Sequence, residues 1–177
     1  MPLAEPPCAD DPVTVSHPTP VGMLTLAATG EALVYCGFRT PDVAEPRVPD
    51  RLTVPWDATP AQRAVLDEAR AQLDAYLGGR LRTFTLPLDL RRATAFVRET
   101  VVGLEEFVPY GRTSTYGELA KRLGRPKAAR AVGRALGANP LCVVLPCHRI
   151  VGASGQLTGY AGGSAAKKYL LDLEAAG

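Results

Sequence analysis

Cys147 is followed directly by His148 and Arg149, within the run Leu145-Pro146-Cys147-His148-Arg149-Ile150. A thiol becomes a useful nucleophile when an imidazolium, a cationic side chain or a helix N-terminus stabilises its thiolate. His148 and Arg149 are the local candidates for that role. Neighbours on an extended chain point to opposite faces, so a turn or a bridging water must bring imidazole and thiol together. A carboxylate must then orient the imidazole. This half of the chain offers Glu99, Glu105, Glu106, Glu118, Asp172 and Glu174, and adjacency does not choose among them. The remaining cysteines, Cys8, Cys36 and Cys142, read as small buried hydrophobes.

The charge around this thiol is one-sided. Residues 1–90 carry 7 Lys/Arg against 12 Asp/Glu, whereas residues 91–177 carry 13 Lys/Arg against 6 Asp/Glu. From Leu119 to Leu171, 53 residues hold nine Lys/Arg and no carboxylate. A solvated basic face would explain a short charge run, but a stretch of this length points to a polyanion partner.

The elements that must position these residues fall into two groups, giving an α+β chain. Val13–Ser16, Gly22–Ala27 and Ala32–Phe38 read as short strands, and residues 39–58 as a Pro- and charge-rich loop. Thr59-Pro60-Ala61-Gln62 is a capping box with Pro at the first helical position. The helix it opens carries Val65, Leu66, Ala69, Leu73, Tyr76 and Leu77 at helical spacing and stops at Gly78-Gly79. Arg82–Leu88 reads as one more strand, and a linker falls near Asp89–Ala93.

Beyond the linker the pattern is helical. Phe96, Val97, Thr100, Val101, Leu104 and Val108 form the apolar face of one helix ending at Pro109. Thr115–Glu118 is a second capping box, opening a short helix that runs to Leu123. Pro126 begins the next helix, with Ala128, Ala131, Val132, Ala135 and Leu136 inward and Lys127, Arg130 and Arg134 on another face. Two short helices around a Gly-containing turn are a helix-turn-helix pattern. Leu141–Leu145 reads as a buried strand or extended segment. A Gly/Ser/Thr-rich loop spans Gly152–Gly163, and a last helix near Ser164–Glu174 turns Tyr169, Leu170 and Leu173 inward.

These divisions predict a tail over residues 1–12, an N-terminal domain over 13–90 and a C-terminal domain over 91–177. A chain of 177 residues, 46% hydrophobic, can bury a core of this size. No apolar run has the length of a membrane span. Met1–Pro12 lacks the basic start and apolar stretch of a signal peptide, and the cysteines show no disulfide-framework spacing. The cytoplasm is the default expectation.

The C-terminal half resembles the O6-alkylguanine-DNA alkyltransferases, also called methylated-DNA–protein-cysteine methyltransferases. Pro146–Ile150 matches their active-site signature. Val108–Gly111, Thr115–Ala120, Pro126–Gly133, Asn139-Pro140, Gly152–Gly155, Leu157–Tyr160, Gly162-Gly163, Lys167 and Leu170–Glu174 follow in the family's order. The likeness is strong over about residues 90–177, and general in layout before that, where it implies a ribonuclease H-like domain.

The resemblance implies direct-reversal repair. Cys147 would take the alkyl group irreversibly, once per molecule, from an O6-alkylguanine flipped out of duplex DNA. His148 resembles the base acting through a water, and Glu174 the carboxylate behind it. Asn139 resembles the residue that holds the turn around the active segment. Tyr116 resembles the tyrosine that crowds the 3′ phosphate and helps protonate the leaving guanine. Arg130 resembles the arginine that enters the vacated stack. Lys127, Ala128, Ala129 and Arg134 would face DNA beside it. Tyr160, Val151, Gly152, Ala153, Ser154, Gly155 and Ala161 would line the base pocket. No cofactor and no membrane are implied, and the protein is expected to act as a monomer, with cooperativity along DNA left open.

Departures are local. Val97 and Val101 stand where relatives often carry Gln and Trp, the segment 96–109 is one residue longer, and Ala161 replaces a commoner Ser or Gly. Cys142 stands where relatives vary and is expected simply to pack. Cys8, Cys36 and His17 make no full ligand set, so no metal is expected, and His17 reads as a surface or strand-edge histidine. A non-catalytic damage sensor or a helix-turn-helix DNA-binding module such as a regulator is the alternative, although sensor relatives lack the cysteine. A turnover cysteine hydrolase ranks last, because it leaves the basic helix-turn-helix without a purpose.

Overall fold

The three N-terminal strands form one antiparallel sheet in sequence order: β1 (Val13–Thr19), β2 (Gly22–Ala28) and β3 (Leu33–Phe38). The computed structural model describes residues 11–39 and 54–177; most of the expected tail, with Cys8, and most of the Pro-rich loop lie outside the described residues. Val15, Leu24, Leu26, Ala28, Leu33 and Cys36 are fully buried from one side of the sheet. Over them lies α1 (Pro60–Leu77), which contributes Leu66, Ala69, Leu73 and Tyr76. Its capping box forms in both directions: Gln62 N donates to Thr59 Oγ1 at 3.2 Å, and Thr59 N to Gln62 Oε1 at 2.9 Å. Such a cap contributes about 1 kcal/mol, against roughly 1.5–3 kcal/mol for each large apolar side chain buried. Packing on the sheet therefore holds α1 in place, and the cap sets where it starts.

Arg82–Leu88 is not a strand. Only Leu88 bridges, in parallel, to Leu33. The backbone before it is engaged by a helix side chain instead: Thr85 N donates to Gln72 Oε1 at 2.9 Å, and Pro87 has no N–H to give.

The single helix expected over residues 96–108 is two, α2 (Ala95–Val101) and α3 (Leu104–Phe107). Val102 turns extended and Gly103 takes φ +78°, a conformation that glycine adopts without a Cβ penalty. The break leaves Val102 exposed and still buries Val101 and Leu104. Next come β4 (Ser114–Thr115), α4 (Tyr116–Arg122) and α5 (Ala129–Gly137), the helix-turn-helix. Thr115 caps α4 from its hydroxyl, but Glu118 reaches Lys121 rather than closing the box. Pro126 lies in a turn ahead of α5, which starts three residues later. Val132, Ala135 and Leu136 hold α5 on Val97, Val101 and Leu104.

Leu141–Leu145 bends instead of running straight. Leu141 alone bridges to Cys36, after which Leu145 N turns back to Leu141 O at 2.9 Å. Val143 carries φ +70°, which costs a β-branched residue on the order of 1–3 kcal/mol. The surrounding structure holds it there: Leu141, Val143, Val144 and Leu170 belong to the same core as the sheet and α1. The segment leading to Cys147 is thus built into the N-terminal core. A one-turn 3-10 helix (Cys147–Arg149) follows, then β5 (Ile150–Val151), parallel to β4, and finally α6 (Gly163–Ala176). On α6, Leu170 is buried, while Tyr169 sits at the rim rather than inward.

Candidate active site and nucleic-acid interface

The one-turn helix supplies the bend that Cys147 and His148 require. Both are buried, with His148 fully so. His148 Nε2 lies 2.6 Å from Glu174 Oε1. A carboxylate can only accept there, so Nε2 carries the proton and Nδ1 keeps the lone pair of the neutral ring. That Nδ1 is buried and has no hydrogen-bond partner among the described residues. Desolvation lowers the His148 pKa, against the opposing pull of Glu174. Near neutral pH the ring is a base rather than an imidazolium.

Of the carboxylates left open by sequence, only Glu174 reaches the imidazole. Glu118 pairs with Lys121, Glu99 with Arg125 and Asp172 with Lys168, all on the surface, where such pairs contribute under about 1 kcal/mol. Glu174 is buried at the far end of α6 and is heavily bonded. Arg149 Nε donates to its Oε2 at 2.8 Å and Nη2 to its Oε1 at 3.1 Å. Gly111 N lies 3.4 Å from Oε2. Tyr76, from α1, donates its hydroxyl to the same carboxylate and stands 3.4 Å from His148 Nε2. Burial would raise the Glu174 pKa, but the hydrogen bond from His148 first, and then those from Arg149 and Tyr76, hold it down to about 2. With His148 neutral, Arg149 is the charge that keeps Glu174 ionised.

Arg149 is therefore not the cation beside the thiol. It turns away, binds Glu174, and donates through Nη1 to Val108 O at 3.0 Å. The groups acting on Cys147 are others. A hydrogen bond from the Cys142 thiol favours its thiolate, against desolvation, with further help from the Asn139 side chain and from the charge of Lys167. The net direction is downward from an ordinary thiol. Cys142, expected only to pack, is among the groups that bear on this sulfur, while its own S–H lies 3.6 Å from Asn139 O. Lys167 and Tyr76, which carried no assigned role, are the other two additions. Lys167 is nearly fully buried and donates to Ile150 O at 2.5 Å and Thr158 O at 3.3 Å. Its place on one helical stripe with Ala166, Leu170 and Glu174 was the available signal. Tyr76 gave none, because its helical spacing explains it as core.

Asn139 ties the turn together, donating from Nδ2 to Leu145 O at 3.1 Å and accepting from Leu141 N at 3.0 Å. Tyr116 opens α4 beside the Gly-rich loop, and its hydroxyl donates to Thr158 O at 3.0 Å. A surface groove of about 520 Å³ is lined by Tyr116, Ala129, Arg130, Gly133, Arg134, Thr158 and Gly159. Lys127, Arg130 and Arg134 are exposed, and Ala128 and Ala129 half-buried. Gly133 lies against the Tyr116 ring, where a Cβ would make an ordinary contact at 3.6 Å.

In the loop, Val151 is buried, Gly152 and Tyr160 are half-buried, and Ala153, Ser154, Gly155 and Ala161 are exposed. The Tyr160 hydroxyl, shielded from solvent, has no hydrogen-bond partner among the described residues. Its ring stands edge-on to Phe38 at 5.4 Å, and Gly162 is tightly constrained there, since a Cβ would come within 2.7 Å of Phe38. Away from this region, His17 stands on β1, an edge strand of the sheet, but is buried rather than on the surface and donates to Asp74 at 2.8 Å.

Fold and site together define a class: a two-domain α+β protein in which a helix-turn-helix flanks a buried cysteine backed by a His–Glu–Arg network. Comparison with known proteins carries this further. Residues 16–90 match the ribonuclease-like domain of 6-O-methylguanine DNA methyltransferase, and residues 96–176 match its DNA-binding domain. A methylated-DNA–protein-cysteine methyltransferase of Methanosarcina acetivorans is 41% identical over 156 residues, covering 88% of this chain and 94% of that one. The protein of that name from Mycobacterium tuberculosis is 42% identical, covering 88% of each. A crystal structure of Mycobacterium tuberculosis OGT in complex with DNA is similar at a TM-score of 0.74 and 39% identity, covering 92% of each chain. The chain belongs to the O6-methylguanine DNA methyltransferase family, whose members are DNA-repair methyltransferases. Among the described residues, no helix is long and apolar enough to cross a membrane.

Proposed function

We propose that this protein repairs O6-alkylguanine in double-stranded DNA by moving the alkyl group to Cys147, once per molecule. The observation that carries the reading is a buried cysteine whose thiolate is favoured, set next to a neutral histidine whose free Nδ1 can take its proton. The reacting oxygen lies inside a duplex, so the base must be extruded to reach such a thiol. Arg130, exposed at the groove, would fill the gap in the stack, while Lys127, Arg134, Ala128 and Ala129 approach the backbone. The flipped base would lie between Tyr160 and the loop from Val151 to Gly155 with Ala161.

Transfer then needs no cofactor. Through a water, His148 Nδ1 takes the thiol proton and Glu174 stabilises the imidazolium that results. The sulfur lone pair forms the S–C bond as the C–O6 bond breaks, and guanine leaves as the pair on O6 collects a proton. Burial first, and then the charge on Cys147, keep the Tyr116 hydroxyl protonated, so it can supply that proton after releasing Thr158 O. The product is a thioether, which thiols do not cleave as they do a disulfide. On this reading the protein works as a monomer in the cytoplasm, where thiols stay reduced.

The test is intact-mass spectrometry with peptide mapping after mixing the protein with duplex DNA carrying one O6-methylguanine. One methyl group on Cys147 with an equimolar yield of guanine is expected, and none in Cys147→Ala. Tight, salt-sensitive binding without methyl uptake would favour a damage sensor, and product far in excess of protein a turnover enzyme.

A further inference from the structure

Strand β3 meets the site twice. It is the last strand of the sheet, and its outer edge holds the segment that leads to Cys147: Cys36 N donates to Pro140 O at 2.8 Å, and Cys142 N to Cys36 O at 2.8 Å. Two residues on, Phe38 ends the strand opposite buried Leu24, with Arg39 N fixed to Met23 O at 3.1 Å. Its half-buried ring lies against the Gly-rich loop. The Tyr160 ring meets it edge-on, with centroids 5.4 Å apart and planes at 72°, an arrangement that the charge distribution of aromatic rings favours. Tyr160 also stands edge-on to His148, at 6.4 Å.

Gly162 completes the contact. Its φ of −82° suits any residue, so the backbone does not call for glycine. The Phe38 ring does: a Cβ at Gly162 would stand 2.7 Å from two of its carbons. Gly162 immediately precedes α6, which carries Lys167 and Glu174 to the site. One side chain of the N-terminal sheet thus packs at once on a pocket tyrosine and on the residue where α6 begins. The tyrosine has a polar group to place. Its hydroxyl is buried without a hydrogen-bond partner among the described residues, which is costly until an acceptor arrives. Burial first, and then the charge on Cys147, keep it protonated, so it can donate to a ring nitrogen of an entering purine.

We propose that Phe38 is a positioning residue for the flipped base: it holds the Tyr160 ring and Gly162 so that the Tyr160 hydroxyl meets the base beside Cys147. The proposal rests on the O6-alkylguanine repair reading. Strand β3 then registers both partners of the reaction, the acceptor segment through Cys36 and the base through Phe38.

The experiment is a double-mutant cycle in the full chain, read as the single-turnover rate of methyl uptake from duplex DNA carrying one O6-methylguanine. Phe38→Leu is expected to slow uptake roughly three- to tenfold, the size of a lost edge-to-face contact. Iodoacetamide alkylation of Cys147, which needs no base in the pocket, should keep its rate. In the Tyr160→Phe background, where the hydroxyl is gone, the same change should cost less than about twofold. If melting shows that Phe38→Leu loosens the sheet, Phe38→Met fills the space without a ring and makes the same comparison. An unchanged uptake rate overturns the proposal. So does an equal loss in both backgrounds, which would mark Phe38 as packing alone, and so does an equal loss in thiol alkylation, which would place its effect on the acceptor segment. No uptake by the wild-type protein overturns the repair reading itself; uptake by wild type together with any of those results overturns the role of Phe38 alone.

Discussion

Arg149 grips Glu174 with two parallel hydrogen bonds, 2.8 and 3.1 Å long, where both side chains are almost wholly out of solvent. The pair joins the residue two places after Cys147 to the far end of the chain. Removing one partner leaves a buried charge uncompensated, at a cost of about 3–5 kcal/mol. Arg149→Met is expected to lose stability of that order in urea unfolding and to slow methyl transfer with it, since Glu174 no longer holds His148. A loss below about 1 kcal/mol would show the pair to be dispensable.

Acid should weaken the fold in two stages. His148 is neutral when folded, and its pKa lies below the ordinary 6.5. The unfolded chain therefore binds the extra proton, and stability falls as pH drops below that value. Glu174 runs from an ordinary 4.5 down to about 2. Its contribution, on the order of 3 kcal/mol, is complete above about 4.5 and is lost as pH falls through about 2. Urea unfolding against pH should show both limbs, and Glu174→Gln should flatten the lower one.

Tyr76 couples the N-terminal domain to the site through its hydroxyl on Glu174. In Tyr76→Phe the carboxylate keeps its donors from His148, Arg149 and Gly111, so the expected loss is about 1 kcal/mol. Methyl transfer should slow a few-fold with little change in DNA binding. A melting curve and a single-turnover rate check the two halves separately.

Arg130 is exposed at the groove and has no part in the buried network. If it fills the stack, Arg130→Ala should slow repair of duplex DNA about tenfold or more, matching part of the few kcal/mol of unstacking. Reaction with the free O6-alkylated base should scarcely change. Equal losses on both substrates would remove the arginine from base extrusion.

Much of this was legible from local signals. Thr59–Gln62 and Thr115 marked helix starts because a cap is a contact between near neighbours. The strands stood out by apolar runs between Gly and Pro, and Pro146–Ile150 with its ordered companions pointed to the family. Where tertiary partners decide, sequence misled. Arg82–Leu88 has strand-like residues but meets Gln72 instead of a neighbouring strand. Leu141–Leu145 is apolar enough for a strand, yet the core takes Val143 at a positive φ and bends it. A helix-period face reads on from Val101 to Leu104, but the backbone breaks between them at Val102 and Gly103.

By itself the sequence determined the two-domain order and the helix-turn-helix and singled out Cys147 as the candidate thiol, because these are written in periodicity and short motifs. Only the tertiary structure decided which charge serves which atom. Arg149 adjoins Cys147 and His148 in sequence but belongs to Glu174, while Lys167, Cys142 and Tyr76 come to the site from other elements. Electrostatic partners are set by distance and burial in space, and residues a few places apart can face opposite ways while residues a hundred apart share a hydrogen bond.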